Sequence, residues 1–154
     1  MLSNRVSEIM TTNLTSATVA SPIQEVLEMM VTADVGRVIV TNAGIPVGIF
    51  TEKDVLKRVV NEDIDPKKSP IKDVMTSPLV TMADTGLIGE ALTEMYRRDI
   101  RNMPVMGTGG NLIGIVSMPD ILQYAAAFNI DEKVRQTWKE VQEYYDSEDQ
   151  YTPG

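Results

Sequence analysis

Gly48-Ile49-Phe50-Thr51-Glu52-Lys53-Asp54 and Gly114-Ile115-Val116-Ser117-Met118-Pro119-Asp120 carry one pattern twice, 66 residues apart. Each runs from a glycine through apolar residues to a hydroxyl, with an aspartate three positions later. Upstream the match continues at a spacing of 65, one residue having been added near Gly109. There Val6-Ser-Glu-Ile-Met10-Thr11-Thr12 falls on Ile71-Lys-Asp-Val-Met75-Thr76-Ser77. Ile23, Glu25 and Leu27 fall on Ile88, Glu90 and Leu92, and Met30, Asp34 and Val40 on Met95, Asp99 and Val105. Agreement over such a span marks an internal duplication. Repeat one covers 5–62 and repeat two 70–127, with a polar linker at 63–69 and a tail at 128–154.

Each copy reads as α-β-β-α behind a short extended lead-in near Leu14 or Leu79. Ser21-Pro22-Ile23-Gln24 has the form of a capping box with proline at the first helical position. It opens a helix whose apolar face is Ile23, Val26, Leu27 and Met30. Asp34-Val35-Gly36 closes that helix. Strands follow at Arg37–Val40 and Val47–Phe50 around the turn Asn42-Ala43-Gly44. A second helix starts at Thr51 and runs through Val55, Leu56, Val59 and Val60. Copy two repeats this with a helix near 86–98, strands at Met103–Met106 and Leu112–Val116, and a helix from Pro119 to Phe128. The fold class is therefore α/β, of the α+β type. A single unit of about 60 residues buries too little surface alone, so the two copies should pack sheet to sheet about a pseudo-twofold axis.

Composition removes several functions. Cysteine and histidine are both absent, which argues against zinc, haem, disulfides and histidine-based proton transfer. A net charge of −8 argues against a nucleic-acid footprint. No run approaches the ~18 apolar residues of a membrane span, and no apolar stretch follows Arg5 to make a signal peptide. Cytoplasmic residence is the default expectation. Asn61-Glu-Asp63-Ile-Asp65 spaces oxygens like a calcium loop, but Pro66 and Lys72 stand where glycine and glutamate are required, so no metal site is expected. Gly107-Thr-Gly-Gly110 lies between strands and reads as a hairpin turn, and Lys53, Lys57, Arg58, Lys67 and Lys68 as a solvated basic face.

The paired motifs, with Met10-Thr11, Met75-Thr76-Ser77-Pro78 and Met103-Pro104-Val105, resemble a tandem pair of CBS domains, the module named after cystathionine β-synthase and also called a Bateman module. The family pattern is Gly-apolar-x-Thr/Ser-x-x-Asp, and the resemblance covers about 5–127. It implies a flat disc with two clefts holding adenosine-type ligands: AMP, ADP, ATP or S-adenosylmethionine. It also implies discs that form homodimers.

Thr51 and Asp54, three apart at a helix start, lie beside unpaired N–H groups and the positive dipole end. A carboxylate there can accept from ribose hydroxyls, and the hydroxyl and amides can hold a phosphate. The same residues also make an ordinary capping box, and one pair can do both. In the resembling proteins each cleft is built across the pseudo-twofold axis. Carried over, Thr51 and Asp54 would face Leu79, Val80, Arg101, Asn102 and Pro104, while Ser117 and Asp120 would face Leu14, Thr15, Arg37 and Ile39. Arg37 and Arg101 would then serve phosphates. Copy one has Ile39 where copy two has Pro104, and Gly36 where copy two has Arg101, so the clefts should differ.

The expectation is a regulatory sensor, not an enzyme, with no catalytic residues and no catalytic cofactor. The adenine nucleotide or S-adenosylmethionine is a regulatory ligand that signals through conformation or partner affinity. The alternative is a ligand-free dimerisation or docking module. In the tail, Ile130, Val134, Trp138, Val141 and Tyr145 line one helix face, and residues 131–149 hold seven acids against three bases. That helix either lies on its own disc or a dimer mate, or docks an unidentified protein partner. Asp146 to Gly154 should fray.

Overall fold

In a computed structural model of the chain, residues 4–127 and 132–149 are described. Repeat one contains β1 (Ser16–Thr18), α1 (Ile23–Ala33), β2 (Arg37–Asn42), β3 (Ile45–Thr51) and α2 (Glu52–Asp54), which continues as a π-helical segment, Val55–Val60. Repeat two contains β4 (Met82–Ala83), α3 (Ile88–Arg98), β5 (Asn102–Met106), β6 (Leu112–Ser117) and α4 (Met118–Ala127). The helix α5 (Glu132–Asp149) follows. The strands form two separate three-stranded sheets of identical order, β1-β2-β3 and β4-β5-β6. In each the first pair is parallel and the second an antiparallel hairpin.

The hairpins follow from local chemistry. Ala43 and Gly44 both take positive φ, 50° and 80°, the signature of a turn whose twist matches the flanking strands. The Gly107–Gly110 segment is the corresponding turn of repeat two, where Gly107 N–H donates to the Asn111 carbonyl at 2.8 Å. Strand alternation then sorts side chains by face. Val38, Val40 and Phe50 enter one core with Ile23, Val26 and Met30 of α1, while Met103, Val105 and Val116 enter another with Ile88, Ala91 and Met95 of α3. Ile39 and Ile115 are equally buried but belong to neither cluster. They lie on the opposite sheet faces, where the repeats meet.

The repeats also exchange their lead-in segments. Val6, at the start of repeat one, is fully buried in the core of repeat two. Ile71 and Val74, at the start of repeat two, are buried in the core of repeat one. Thr11 exchanges backbone hydrogen bonds with Ile115 on β6 (2.8 and 2.9 Å), and Thr76 does the same with Ile49 on β3 (2.8 and 3.0 Å). Each lead-in thus bridges, at one residue pair, the outer strand of the other repeat's sheet and shields part of that edge.

The exchange explains two details. A Cβ on Gly48 would sit 2.8 Å from both Met75 Sδ and the Thr76 carbonyl oxygen, and one on Gly114 would sit 2.5 Å from Met10 Sδ. Glycine is required in both motifs because a Met-Thr lead-in crosses directly over it. The helix starts are the second detail. The expected box at Ser21 does not form. Pro22 is the N-cap and makes no side-chain cap bond, while the Ser21 hydroxyl turns back to Thr18. The orphan amides of Ile23 and Gln24 are taken instead by the carbonyls of Ser69 and Pro66, and that of Ile88 by Asn4.

The helix after Thr51 also departs from the expected face. Only Val59 of Val55–Val60 is buried, and Leu56 and Val60 are each 64% exposed. The wider π turns rotate these side chains off an α-helical stripe. Trp138 and Val141 of α5 pack against the core of repeat two. These two positions of its apolar face therefore cover the chain's own disc and are not open to a docking partner. Ile130 lies outside the described residues, as do the side chains of Val134 and Tyr145. The helix runs to Asp149, past the expected fraying point at Asp146.

Candidate functional site

The start of α2 is built as the capping box read from the sequence. Thr51 N–H donates to Asp54 Oδ2 at 3.0 Å, and the Thr51 hydroxyl lies 3.3 Å from the same oxygen. Asp54 is nevertheless only 5% exposed, and its other oxygen also has partners. The Thr76 hydroxyl donates to Asp54 Oδ1 at 3.0 Å, and Arg58 Nε approaches that atom at 3.5 Å. Arg58 also donates from Nη1 to the Met75 carbonyl at 2.7 Å. The carboxylate therefore joins α2 to the crossing lead-in of repeat two.

At the start of α4 the same box has fewer partners. Ser117 N–H donates to Asp120 Oδ2 at 2.9 Å, and Asp120 N–H donates back to the Ser117 hydroxyl at 3.3 Å. Ser117 is buried and Asp120 half-buried. Among the described residues no side chain reaches the second Asp120 oxygen. Tyr124 stands where repeat one has Arg58, and its hydroxyl turns away to donate to Asn4 Oδ1 at 2.6 Å.

The other expected residues fall into several groups. Arg37 is the register partner of Thr51, and Asn102 that of Ser117, so each pairs with its own repeat's motif inside one sheet. Pro104 lies opposite Ile115, and Ile39 N–H donates to the Thr15 carbonyl at 3.0 Å. Val80 packs against the core of repeat two. Leu79, with Pro46, Val47, Met75, Pro78 and Met106, lines a cavity of about 660 Å³. Thr15, with Glu25, Glu28 and Met29, borders a second of about 410 Å³. Leu14 is half-buried.

An ion pair crosses the repeat boundary. Lys53 Nζ, at the start of α2, lies 2.8 Å from Asp99 Oδ2 at the end of α3. The Lys53 hydrogen bond holds the Asp99 carboxyl below the usual aspartate range; partial burial opposes this, and the charges of Lys53, Lys57 and Arg101 reinforce it. Arg101 thus lies within electrostatic reach of Asp99, two residues before it in the chain. In repeat two the positions of Lys53 and Lys57 are Pro119 and Gln123, so the basic cluster exists on one side only. Among the described residues no group of acids and other ligands could hold a metal ion, and no helix is long and apolar enough to cross a membrane.

Two copies of a sheet hairpin, each flanked by helices and clasped by the other's lead-in, match a known family. The model of the CBS domain matches residues 6–61 and again 71–127. This chain belongs to the CBS domain family. The CBS pair is 34% identical over 111 residues to an uncharacterized protein of Methanopyrus kandleri, covering 70% of this chain and 56% of that one. It is 32% identical over 139 residues to an uncharacterized protein of Methanocaldococcus jannaschii, spanning 82% of this chain and a third, 33%, of the relative. Among solved structures, a CBS domain protein from Pyrobaculum aerophilum complexed with AMP superposes with a TM-score of 0.69 at 30% identity, covering 80% of this chain and 98% of that one. A putative signal-transduction protein with CBS domains from Burkholderia ambifaria gives a TM-score of 0.77 at 22% identity, covering 82% and 97%, and shares the fold.

Arg58, Thr76 and Asp99 were missed as partners of the motif residues. Thr76 was visible in sequence as half of the repeated Met-Thr pair, but nothing local to it signals that it reaches Asp54. Lys53 and Arg58, read as part of a solvated face, each bind a group supplied by repeat two or its lead-in.

Proposed function

We propose that this CBS pair is a regulatory module without catalytic activity, which binds an adenosine-type ligand at the boundary between its repeats. Binding would bias the relative orientation of the repeats, and with it the affinity for a regulated partner. The observation that carries this reading is the start of α4. There a carboxylate whose second oxygen has no side-chain partner among the described residues sits three residues from a buried serine, beside helix amides able to hold an anion. The 30% identical relative complexed with AMP supports the ligand class. The shift in orientation is limited by the ligand's differential affinity for the two states. Calorimetric titration with AMP, ATP and S-adenosylmethionine tests it: saturable heat from at least one is expected, and no heat from any would end this reading. Cytoplasmic residence belongs to the same proposal.

One observation favours association of discs beside ligand binding. Leu56, Val60 and Val31 are exposed in repeat one, Val31 to 81%. Such apolar side chains suit a homodimer interface. Sedimentation should give a dimer mass for the parent chain and a smaller one for Leu56→Glu.

A further inference from the structure

The two motif aspartates occupy matching positions, yet they are engaged differently. Asp54 is nine-tenths buried or more and accepts at both oxygens: Thr51 on one, Thr76 and Arg58 on the other. A carboxylate offers about four lone-pair directions, and here the backbone amide, two hydroxyls and a guanidinium approach them. Asp120 is half-buried and receives Ser117 N–H on Oδ2. The difference is written in two positions. Arg58 is replaced by Tyr124 in repeat two, and the Tyr124 hydroxyl is directed to Asn4. Thr76 has Thr11 as its counterpart, and no side-chain bond from Thr11 to Asp120 forms among the described residues.

We infer that Asp54 is an internal clasp and not a ligand residue, so that the module takes one adenosine-type ligand per chain, on the Asp120 side. This inference rests on the proposed function. A ribose hydroxyl approaching Asp54 would have to displace the part-buried Thr76 hydroxyl or the Arg58 guanidinium, breaking a hydrogen bond or ion pair that the carboxylate already holds. At Asp120 an incoming hydroxyl would displace no side-chain partner of the second oxygen among the described residues. Arg58 strengthens the assignment because it holds the Met75 carbonyl at the same time. The Arg58 and Thr76 contacts together fasten repeat two's lead-in over α2.

Titration calorimetry with AMP, ATP and S-adenosylmethionine decides the matter, with each protein's melting temperature recorded. For whichever ligand binds, the parent should take one molecule per chain. Asp120→Asn should weaken binding by about tenfold or more, the loss of one charged hydrogen bond, with melting little changed. Asp54→Asn should melt earlier while keeping stoichiometry and affinity. If Asp54→Asn fails to fold, Thr76→Val opens the clasp from the other side and should behave the same way. Two molecules bound per parent chain, or loss of binding in a folded Asp54→Asn or Thr76→Val, would overturn the clasp while leaving the proposed function intact. No saturable heat from any of the three ligands would instead sink the proposed function, and the clasp's one-ligand corollary with it.

Discussion

Asp99 and Lys53 show how a charge pair is read at the scale of single residues. Asp99 takes the left-handed conformation that ends α3, with φ 53°, and short polar side chains tolerate this region best. That position presents its carboxylate to Lys53 on the opposite repeat. The folded-state pKa is lowered, chiefly by the Lys53 hydrogen bond. Its contribution to stability is therefore present above the unfolded aspartate pKa and fades as pH falls through the lower folded value. Both side chains are about half exposed or more, so solvent screening keeps the contribution small. An NMR titration should place the Asp99 midpoint below that of an ordinary aspartate, and Lys53→Met should move it upward. An unchanged midpoint in Lys53→Met would show that this contact does not persist in solution.

Among the elements, the exchanged lead-ins set the constraints. Gly48→Ala brings a methyl against both a flexible methionine and the Thr76 backbone carbonyl, whereas Gly114→Ala meets Met10 side-chain atoms alone. A side chain can shift where a backbone pinned by hydrogen bonds cannot. Urea denaturation should therefore give about 1–3 kcal/mol of destabilisation for Gly48→Ala and a smaller loss for Gly114→Ala. Equal losses would argue that the lead-ins yield equally. Val6 offers a second test, because it belongs by sequence to one repeat and by packing to the other. Val6→Ala should cost about 2 kcal/mol, and hydrogen exchange should report the extra opening in β5 and β6 ahead of β2 and β3. Opening confined to repeat one would contradict the exchange.

At the scale of the whole molecule, the pseudo-twofold arrangement is broken by what each repeat adds. Repeat one carries the π-helical segment that turns Leu56 and Val60 outward. Repeat two carries α5, with Trp138 and Val141 seated on its core. Trp138→Ala should lower stability by about 1–3 kcal/mol and raise exchange in repeat two and α5. The amides of β2 and β3 should be unaffected; a loss of protection there would mean that α5 supports both halves.

The duplication, the hairpins with their turns, the apolar face of α1 and the two hydroxyl–carboxylate boxes were all legible in the amino-acid sequence. Each depends on residues within a few positions of one another, or on a pattern that repeats. The expected cross-repeat grouping of the site came from family resemblance alone, and the contacts that join the motif of repeat one to repeat two, Thr76–Asp54 and Lys53–Asp99, were not part of it. Which lead-in covers which glycine, which carbonyl satisfies Ile23, and which side chains close around Asp54 are decided by tertiary structure. The Thr76–Asp54 bond joins residues 22 apart, and Tyr124–Asn4 joins residues 120 apart. Contacts of that kind follow from where the chain is carried by packing, and neither propensity nor periodicity encodes them. Identical motifs therefore acquired different surroundings once the two halves closed on one another.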